Sequence, residues 1–303
     1  MASDASSSAV APSEALFPMR RRSSRMRPLV RFARTQPLAT FGLAALVVGV
    51  IIALVGPSLV PKDPYATSII TGLEAPSGEH WFGTDNLGRD VFSRVIVATR
   101  FSLLLGLAAT AVTLLIGVVI GLISGYLGGF VDVVIQRLVE AAMGIPFILF
   151  LLMVVTLVGA SFTSIAIIIG GYGGITNSRV IRSAVLSVKE EMYMEAARSI
   201  GVPAWRILLM HVLPNIMATV IIVASLGLGA AILAESSLSF LGYGVPPPDP
   251  TWGQMMGIEA RPYIIRGPWM AIFPGLVLTI VVFSINVLGD GLRDALDPRL
   301  RSR

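Results

Sequence analysis

Residues 190–215 read EEMYMEAARSIGVPAWRILLMHVLPN, and this stretch decides how the rest of the chain is interpreted. Glutamate, methionine and alanine favour a helix over its first half, and the two leading glutamates oppose the helix dipole. Gly201 suits the C-terminal cap of that helix, and Pro203 suits the first turn of a second helix. Pro214 predicts a boundary before the next apolar segment. The stretch therefore predicts a helix-turn-helix outside the bilayer core.

The composition is that of an integral membrane protein. Of the 303 residues, 54% are hydrophobic and only 14% are charged, and the mean hydropathy is +0.80. Soluble domains carry about 25% charged residues. Several apolar runs approach or exceed the ~20 residues that cross a bilayer. They lack strict alternation, so the predicted fold class is all-α rather than a β-barrel.

Six apolar segments predict six transmembrane helices. They cover residues 38–60, 101–126, 131–158, 162–175, 216–241 and 269–288. The chain then divides into an Arg-rich, partly disordered tail (1–37), a membrane domain (38–290) and a C-terminal tail (291–303). The membrane domain includes an extracytoplasmic segment, 61–99, and the hairpin at 190–215.

The distribution of basic residues predicts the orientation in the membrane. With the N-terminus inside, the inside segments hold 17 Lys or Arg residues and the outside segments hold five. Basic residues concentrate on the cytoplasmic side of membrane proteins. Both termini and the hairpin are therefore predicted to be cytoplasmic. This bias also accounts for the net charge of +5 without nucleic acid.

The sequence predicts no catalytic, metal or nucleotide site on this chain. There is no cysteine, and the two histidines, His80 and His211, lie far apart. The two lysines follow Pro61 and Val188, so neither completes a Gly-Lys-Ser/Thr phosphate loop.

A few polar and small residues inside the apolar segments attract interest. Glu235 lies about 28 Å along its helix, counted from Ile216, near the outer end. Two interpretations stay open: a structural role with neighbouring serines, or a place beside a transport pathway. Asn286 is expected to hydrogen-bond between helices. The repeat Gly117, Gly121, Gly125 predicts close helix packing and a contact between subunits.

The predicted extracytoplasmic segment contains the series FGTDNLGRDVFSR, residues 82–94. Asp85 or Asn86 suits a turn or the cap of a helix that begins near Gly88. Its charged signature residues are Asp85, Arg89, Asp90 and Arg94. Arg89 and Asp90 are expected to pair with nearby groups. The simplest interpretation is a capped surface helix.

Several of these stretches together resemble one family. Glu195-Ala196-Ala197, Gly201 and Leu213-Pro214 resemble the EAA coupling loop of ABC-importer permeases. Residues 82–94 resemble the C-type subunit of dipeptide and oligopeptide importers, as do residues 238–253, 273–275 and 288–299. The resemblance covers about residues 38–300. One departure is Asn177-Ser178-Arg179, where the family usually has an aromatic residue followed by Ala-Arg.

The resemblance implies a function and a set of partners. It implies a type I ABC importer permease fold that forms half of a pathway for di- or oligopeptides in the bacterial inner membrane. The implied partners are a second, B-type permease subunit, two cytoplasmic ATPases that bind ATP and Mg, and an extracytoplasmic substrate-binding protein. No cofactor is expected on this chain itself. The expected ATPase-coupling residues are Glu195, Ala196, Ala197, Arg198, Gly201 and Pro214.

Three alternatives remain beside this interpretation. The same architecture could import another solute, such as nickel complexes. An ion-coupled secondary transporter would need paired ionisable residues at mid-membrane, where the spans supply only Glu235, near an end. An intramembrane enzyme would need a catalytic constellation, and the sequence offers none.

Overall fold

The computed structural model describes residues 36–296 as a predominantly helical protein. The long tail predicted for residues 1–37 lies almost wholly outside the described residues, as does the end of the predicted C-terminal tail. Within the described part there are eight helices longer than a single short turn. They are α1 (Pro37–Leu59), α2 (Val91–Leu127), α3 (Gly129–Met143), α4 (Phe147–Val158), α5 (Phe162–Lys189), α6 (Met192–Ser199), α7 (Ala204–Phe240) and α8 (Trp269–Leu296). Short helical turns at Ile69–Thr71, Trp252–Gln254 and Arg261–Tyr263 lie in the segments between them.

Four of these helices are long and apolar enough to cross a membrane: α1, α2, α7 and α8. The pair α3 and α4 makes a fifth span if the two are counted together. Helix α5 is long enough but falls below the hydropathy of a span, because residues 170–179 combine glycines with Tyr172, Thr176 and Asn177. The predicted six-span count is therefore supported only in part, since the helices themselves identify four or five.

The predicted third span, 131–158, is not one straight helix. The chain bends by 88° between α3 and α4. The break falls at Gly144-Ile145-Pro146, where the proline removes an N–H donor and keeps the preceding residue out of helical geometry. On α5, the Tyr172 hydroxyl donates to the carbonyl of Ile145, at the break, at 3.3 Å. The bend is thus fixed by a proline on one side and a tyrosine on the other.

The glycine repeat of α2 packs within this chain, so the predicted subunit contact is wrong. Side-chain Cβ atoms added at Gly121 and Gly125 would lie 2.7 and 2.8 Å from Ile181 and Val185 of α5. At Gly117 the obstacle is the α5 backbone itself, 3.1 Å from the added atom. Because glycine has no side chain, the α2 and α5 backbones can approach closely here. This seam covers one face of α5, which helps a helix of modest hydropathy to lie among the spans.

The boundary predicted at Pro214 is a change of helix type and not an end of the helix, since regular α-helix begins at Leu213. Helix α7 runs through it from Ala204 to Phe240. A π-helical segment, Leu208–Val212, directly precedes the proline. The i→i−4 ladder is already interrupted in a π turn, so a residue without an N–H costs less there than in a regular helix.

Candidate functional site

The hairpin formed by α6 and the start of α7 packs against the C-terminal ends of α2 and α5. On α6 the side chains of Met194 and Ala197 are buried. They join a hydrophobic cluster with Val185 of α5 and with Ile207 and Val212 of α7. Burial of these apolar groups makes α6 move with α5 and α7 rather than as a free loop.

The turn of the hairpin is a Schellman motif built around Gly201. Gly201 has φ 77°, in the left-handed region that favours glycine. Its N–H donates to the carbonyl of Arg198 at 3.0 Å, and the N–H of Val202 donates to the carbonyl of Ala197 at 3.2 Å. A Cβ at Gly201 would meet nothing within 4 Å. Glycine is therefore required here by the backbone angle and not by lack of space.

The opposite side of the hairpin exposes large apolar side chains. Met192 is 88% exposed and Ile200 is 80% exposed. Four further side chains share this character: Tyr193, Trp205, Leu209 and Met210. Exposed apolar groups at this density mark interaction surfaces in soluble segments. The hairpin thus has an anchored inner side and an apolar outer side.

The residues predicted to couple to an ATPase fall on different sides of this hairpin. Glu195 and Ala196 are exposed, and so is Pro214. Ala197 instead faces the buried cluster, where its small size lets α6 lie close to α5 and α7. It belongs to the anchored side of the hairpin.

Arg198 is directed towards its own chain. Its Nη2 lies 3.4 Å from the carbonyl oxygen of Lys189, and its guanidinium carbon lies 5.8 Å from the centre of the Tyr126 ring. The Nζ of Lys189 donates to the carbonyl of Tyr126 at 2.8 Å. Sequence reasoning missed Tyr126 and Lys189, because no local pattern connects the ends of α2 and α5 with α6.

A second group of charged residues lies in the segment before α2. Asp85 forms the turn: its Oδ1 accepts from the backbone N–H groups of Leu87 and Arg89, at 2.8 and 2.9 Å. Its Oδ2 accepts from Arg89 Nε at 2.5 Å. Arg94 is 1% exposed, and its Nη2 donates to Glu259 at 2.6 Å. Glu259 also lies 3.1 Å from Arg89.

Glu259 was missed by the sequence analysis. It lies 165 residues from Arg94, in the segment between α7 and α8. No local pattern in the sequence distinguished Glu259 from Asp249, the other acidic residue of this segment. The ion pairs join this segment to the one before α2, so the two segments form one unit.

Asp90 is the residue that caps α2, which begins at Val91 and not near Gly88. Asp90 Oδ2 accepts from the N–H of Ser93 at 2.8 Å, while Oδ1 lies 2.9 Å from His80 Nδ1. Lys62 then connects His80 to Glu79. The hydrogen bond from Lys62 holds the pKa of the exposed Glu79 carboxyl below its usual value.

The two polar residues singled out inside the spans lie in different settings. Glu235 is fully buried, and its carboxylate accepts from Ser239 at 2.6 Å and lies 3.4 Å from the hydroxyl of Ser236. No ion pair to Glu235 occurs within residues 36–296. Asn286 of α8 faces α7, where a Cβ on Gly229 would lie 3.1 Å from its Oδ1.

Comparison with known proteins gives the family. Residues 117–302 match the family described as binding-protein-dependent transport system inner membrane component. The dipeptide transport system permease protein of Alkalihalophilus pseudofirmus is 38% identical over 265 residues, 88% of this chain and 87% of that protein. The oligopeptide transport system permease protein of Bacillus subtilis is 37% identical over 273 residues, 90% of this chain and 89% of that protein.

A third relative is named after a different transported compound. The glutathione transport system permease protein of Pectobacterium atrosepticum is 38% identical over 273 residues, 90% of each chain. The resemblance to dipeptide and oligopeptide permeases is confirmed. The chain therefore belongs to the family of inner membrane components of binding-protein-dependent transport systems, as a permease subunit of an ABC importer.

Proposed function

We propose that this permease forms half of the translocation pathway for di- or oligopeptides. The names of three relatives at similar identity support a peptide cargo, since they refer to dipeptides, oligopeptides and glutathione, which is itself a peptide. The three named cargoes differ although the relatives are almost equally similar to this chain. Overall sequence identity therefore does not identify the length of the transported peptide. Nickel complexes remain the alternative cargo for the same architecture.

The assembly that we propose has four further subunits. They are a second, B-type permease, two cytoplasmic ATPases that hold ATP and Mg, and an extracytoplasmic substrate-binding protein. The family description, which names a transport system dependent on a binding protein, supports the last of these. The permease itself contributes the membrane part and undergoes alternating access when the ATPases close.

The hairpin is the proposed coupling element, and its two-sided character is the observation that carries this assignment. Its apolar outer side, with Glu195 and Ala196, would dock into a groove of an ATPase. Its inner side, with Met194 and Ala197, is packed against α5 and α7. Displacement of α6 would then be passed to the spans through packed contacts and through Arg198. Gly201 keeps the two helices at a fixed angle.

The proposed orientation places both termini and the hairpin in the cytoplasm of a bacterial cell. The excess of basic residues on that side supports it. In this orientation the outer unit with Asp85, Arg89, Asp90 and Arg94 faces the binding protein. The six crossings would comprise α1, α2, the bent pair α3 and α4, α5, α7 and α8.

Glu235 has a structural role in this proposal. Its carboxylate already accepts hydrogen bonds from serines of its own helix, and its side chain is enclosed. Asn286 is placed at the contact of α7 with α8. An ion-coupled secondary transporter would need Glu235 to be open to solute, which its burial opposes.

The test is affinity purification from gently solubilised membranes, followed by uptake measurements on the reconstituted complex. We expect the second permease, two ATPase chains and a binding protein to co-purify, and labelled dipeptide to enter vesicles only with ATP. A chain that purifies alone and transports solute without ATP would refute the proposal. A binding protein that holds a nickel complex would assign the alternative cargo.

A further inference from the structure

An open groove lies between α5 and α7, on the side of α5 away from α2. It is a shallow, largely open depression of about 500 Å³, and it is lined by Arg179, Val180, Ser183, Ala184, Ser187 and Thr219. Sites for small molecules typically enclose about 300–1,000 Å³. The lining is mixed: one guanidinium and three hydroxyls lie beside two small apolar side chains. Polar side chains are unfavourable where a surface faces only lipid acyl chains, so this lining indicates a polar occupant or water.

The groove carries an excess of positive charge. Arg179 Nη2 lies 3.2 Å from Glu140 of α3, and the other oxygen of the same carboxylate accepts from Arg137 at 3.0 Å. Two guanidiniums therefore share one carboxylate. Arg137 is not part of the lining, so the cationic group of the groove itself is Arg179, which shares the Glu140 carboxylate with Arg137.

Arg179 also has an unused donor. Its Nε is enclosed and has no hydrogen-bond partner within residues 36–296. Because the chain itself encloses this nitrogen, the donors that Arg179 can offer to the groove are those at the end of its guanidinium, Nη1 and Nη2. The hydroxyl of Ser183 also makes no hydrogen bond in the described part, whereas Ser187 bonds to the carbonyl of Ser183. Arg179 and Ser183 are thus donors available at one place.

Arg179 lies within the long helix α5, well before its C-terminal end. It precedes the last residue of α5, Lys189, by ten residues, or about 15 Å of helix. Charged residues at such depth in membrane proteins face protein or a water-filled path. The side chain of Arg179 is 38% exposed, so it faces open space as well as Glu140.

A second cavity follows along the same pair of helices. It encloses about 220 Å³, and its lining includes Phe147, Tyr172, Thr176, Asn177 and Gly227. None of its lining residues is a carboxylate or a basic side chain. The two cavities thus form a sequence along α5, with an uncharged part first and the cationic groove nearer the inner end.

We propose that Arg179, with Ser183, binds the carboxylate of the cargo as it passes along α5 and α7. This inference rests on the proposed function and adds a specificity-determining site to it. The uncharged cavity accommodates the neutral part of the peptide, and the guanidinium receives the oxyanion. Charge-assisted hydrogen bonds of this kind are shorter and about twice as strong as neutral ones.

The test compares uptake of dialanine with uptake of its C-terminal amide. The complete transporter is reconstituted with saturating loaded binding protein, so that the permease step limits the rate. We expect Arg179→Gln to reduce uptake of the free acid by about 10-fold while uptake of the amide changes little. Arg179→Lys, which keeps the charge, should restore most of the difference, and Ser183→Ala should show a smaller loss.

Glu140→Gln is the matched control. It breaks the ion pair with Arg179 and leaves the guanidinium in place, so the ratio of acid to amide uptake should stay at or above that of the wild type. If Glu140→Gln reproduces Arg179→Gln, Arg179 serves only the ion pair and the inference is wrong. It is also wrong if acid and amide uptake fall together or remain unchanged in Arg179→Gln.

Two other occupants of the groove are distinguished in the same assay. Vesicles of phosphatidylcholine alone are compared with vesicles that contain phosphatidylglycerol. A defect confined to the latter, and equal for acid and amide, would assign the oxyanion to a lipid phosphate and overturn the inference. Loss of the second permease on purification of Arg179→Gln would assign the groove to a subunit contact. Absence of ATP-driven peptide uptake in the wild type would instead refute the proposed function.

Discussion

The guanidinium of Arg198 lies 5.8 Å from the centre of the Tyr126 ring, and Lys189 Nζ lies 5.9 Å from the same centre. Tyr126 lies at the end of α2, Lys189 ends α5, and Arg198 belongs to α6. The Tyr126 ring thus makes cation–π contacts with side chains of two other helices. This arrangement links the proposed coupling hairpin directly to the seam between α2 and α5.

We predict that Tyr126→Leu weakens the coupling of ATP hydrolysis to uptake. Cation–π contacts at exposed sites contribute about 0.5–1 kcal/mol, which corresponds to a change of about 2–5-fold. The quantity to measure is peptide taken up per ATP hydrolysed in reconstituted vesicles. Loss of the ring should lower this ratio while the ATPases remain bound.

Tyr126→Phe is the control, because it keeps the ring and removes only the hydroxyl. Its uptake per ATP should match that of the wild type. Arg198→Gln should lower the ratio like Tyr126→Leu, and the double variant should be no worse than the single ones. Additive losses in the double variant would show that the two residues act separately.

Gly201 offers a test of the turn between α6 and α7. Since an added Cβ would meet no atom within 4 Å, a substitution strains only the backbone, at φ 77°. A β-branched residue in this region costs about 1–2 kcal/mol, whereas asparagine tolerates it better. Gly201→Val should therefore uncouple ATP hydrolysis from uptake without loss of membrane insertion, and Gly201→Asn should stay close to the wild type.

Measurements of insertion, ATP hydrolysis and uptake on both variants separate the possibilities. Normal uptake by Gly201→Val would contradict the coupling role of the hairpin. Equal loss in both variants would point to crowding against a partner instead of backbone strain.

The contact of Arg94 with Glu259 should matter for stability. Arg94 is 1% exposed, so removal of the charge on Glu259 leaves a buried guanidinium with less compensation. Breaking one side of a buried ion pair typically costs about 3–5 kcal/mol, and we expect the lower end because Asp85 lies 3.7 Å from Arg94. Thermal unfolding of detergent-solubilised Glu259→Gln should show a clearly lower midpoint.

The exposed pair of Lys62 and Glu79 is the control for this prediction. The Glu79 side chain is 80% exposed, and exposed pairs contribute little to stability. Glu79→Gln should leave the midpoint unchanged. Equal effects of Glu79→Gln and Glu259→Gln would show that burial does not set the energetics of these pairs.

Local chemistry decided which parts of the structure were visible in the sequence. A left-handed glycine at the end of a short helix is a local requirement, and Gly201 was identified from its neighbours alone. The glycine repeat at 117, 121 and 125 predicted that another helix packs closely against α2. The repeat alone does not identify that helix, which is α5 in the structure. The partner of Arg94 lies 165 residues away, beyond the reach of any local pattern.

The bend between α3 and α4 is an intermediate case. Pro146 was a visible signal, yet the apolar residues on both sides of it favoured a single span. Tyr172, which donates to the carbonyl of Ile145, lies on the next helix and gave no sign of this role in the sequence. Hydropathy reports how long an apolar run is and is insensitive to a bend within it. The bend here depends on the N–H that Pro146 lacks.

The orientation in the membrane leads to a last prediction, which uses the absence of cysteine in this chain. Gly78 is exposed in the segment before α2 and has no atom near its Cβ position, and Ile200 is exposed on the hairpin. A membrane-impermeant maleimide added to intact cells should label Gly78→Cys, and it should label Ile200→Cys only after permeabilisation. The reverse pattern would invert the topology. Thr84→Cys is the internal control: Thr84 is fully buried, so it should resist labelling until the protein is denatured, although it lies on the same side as Gly78.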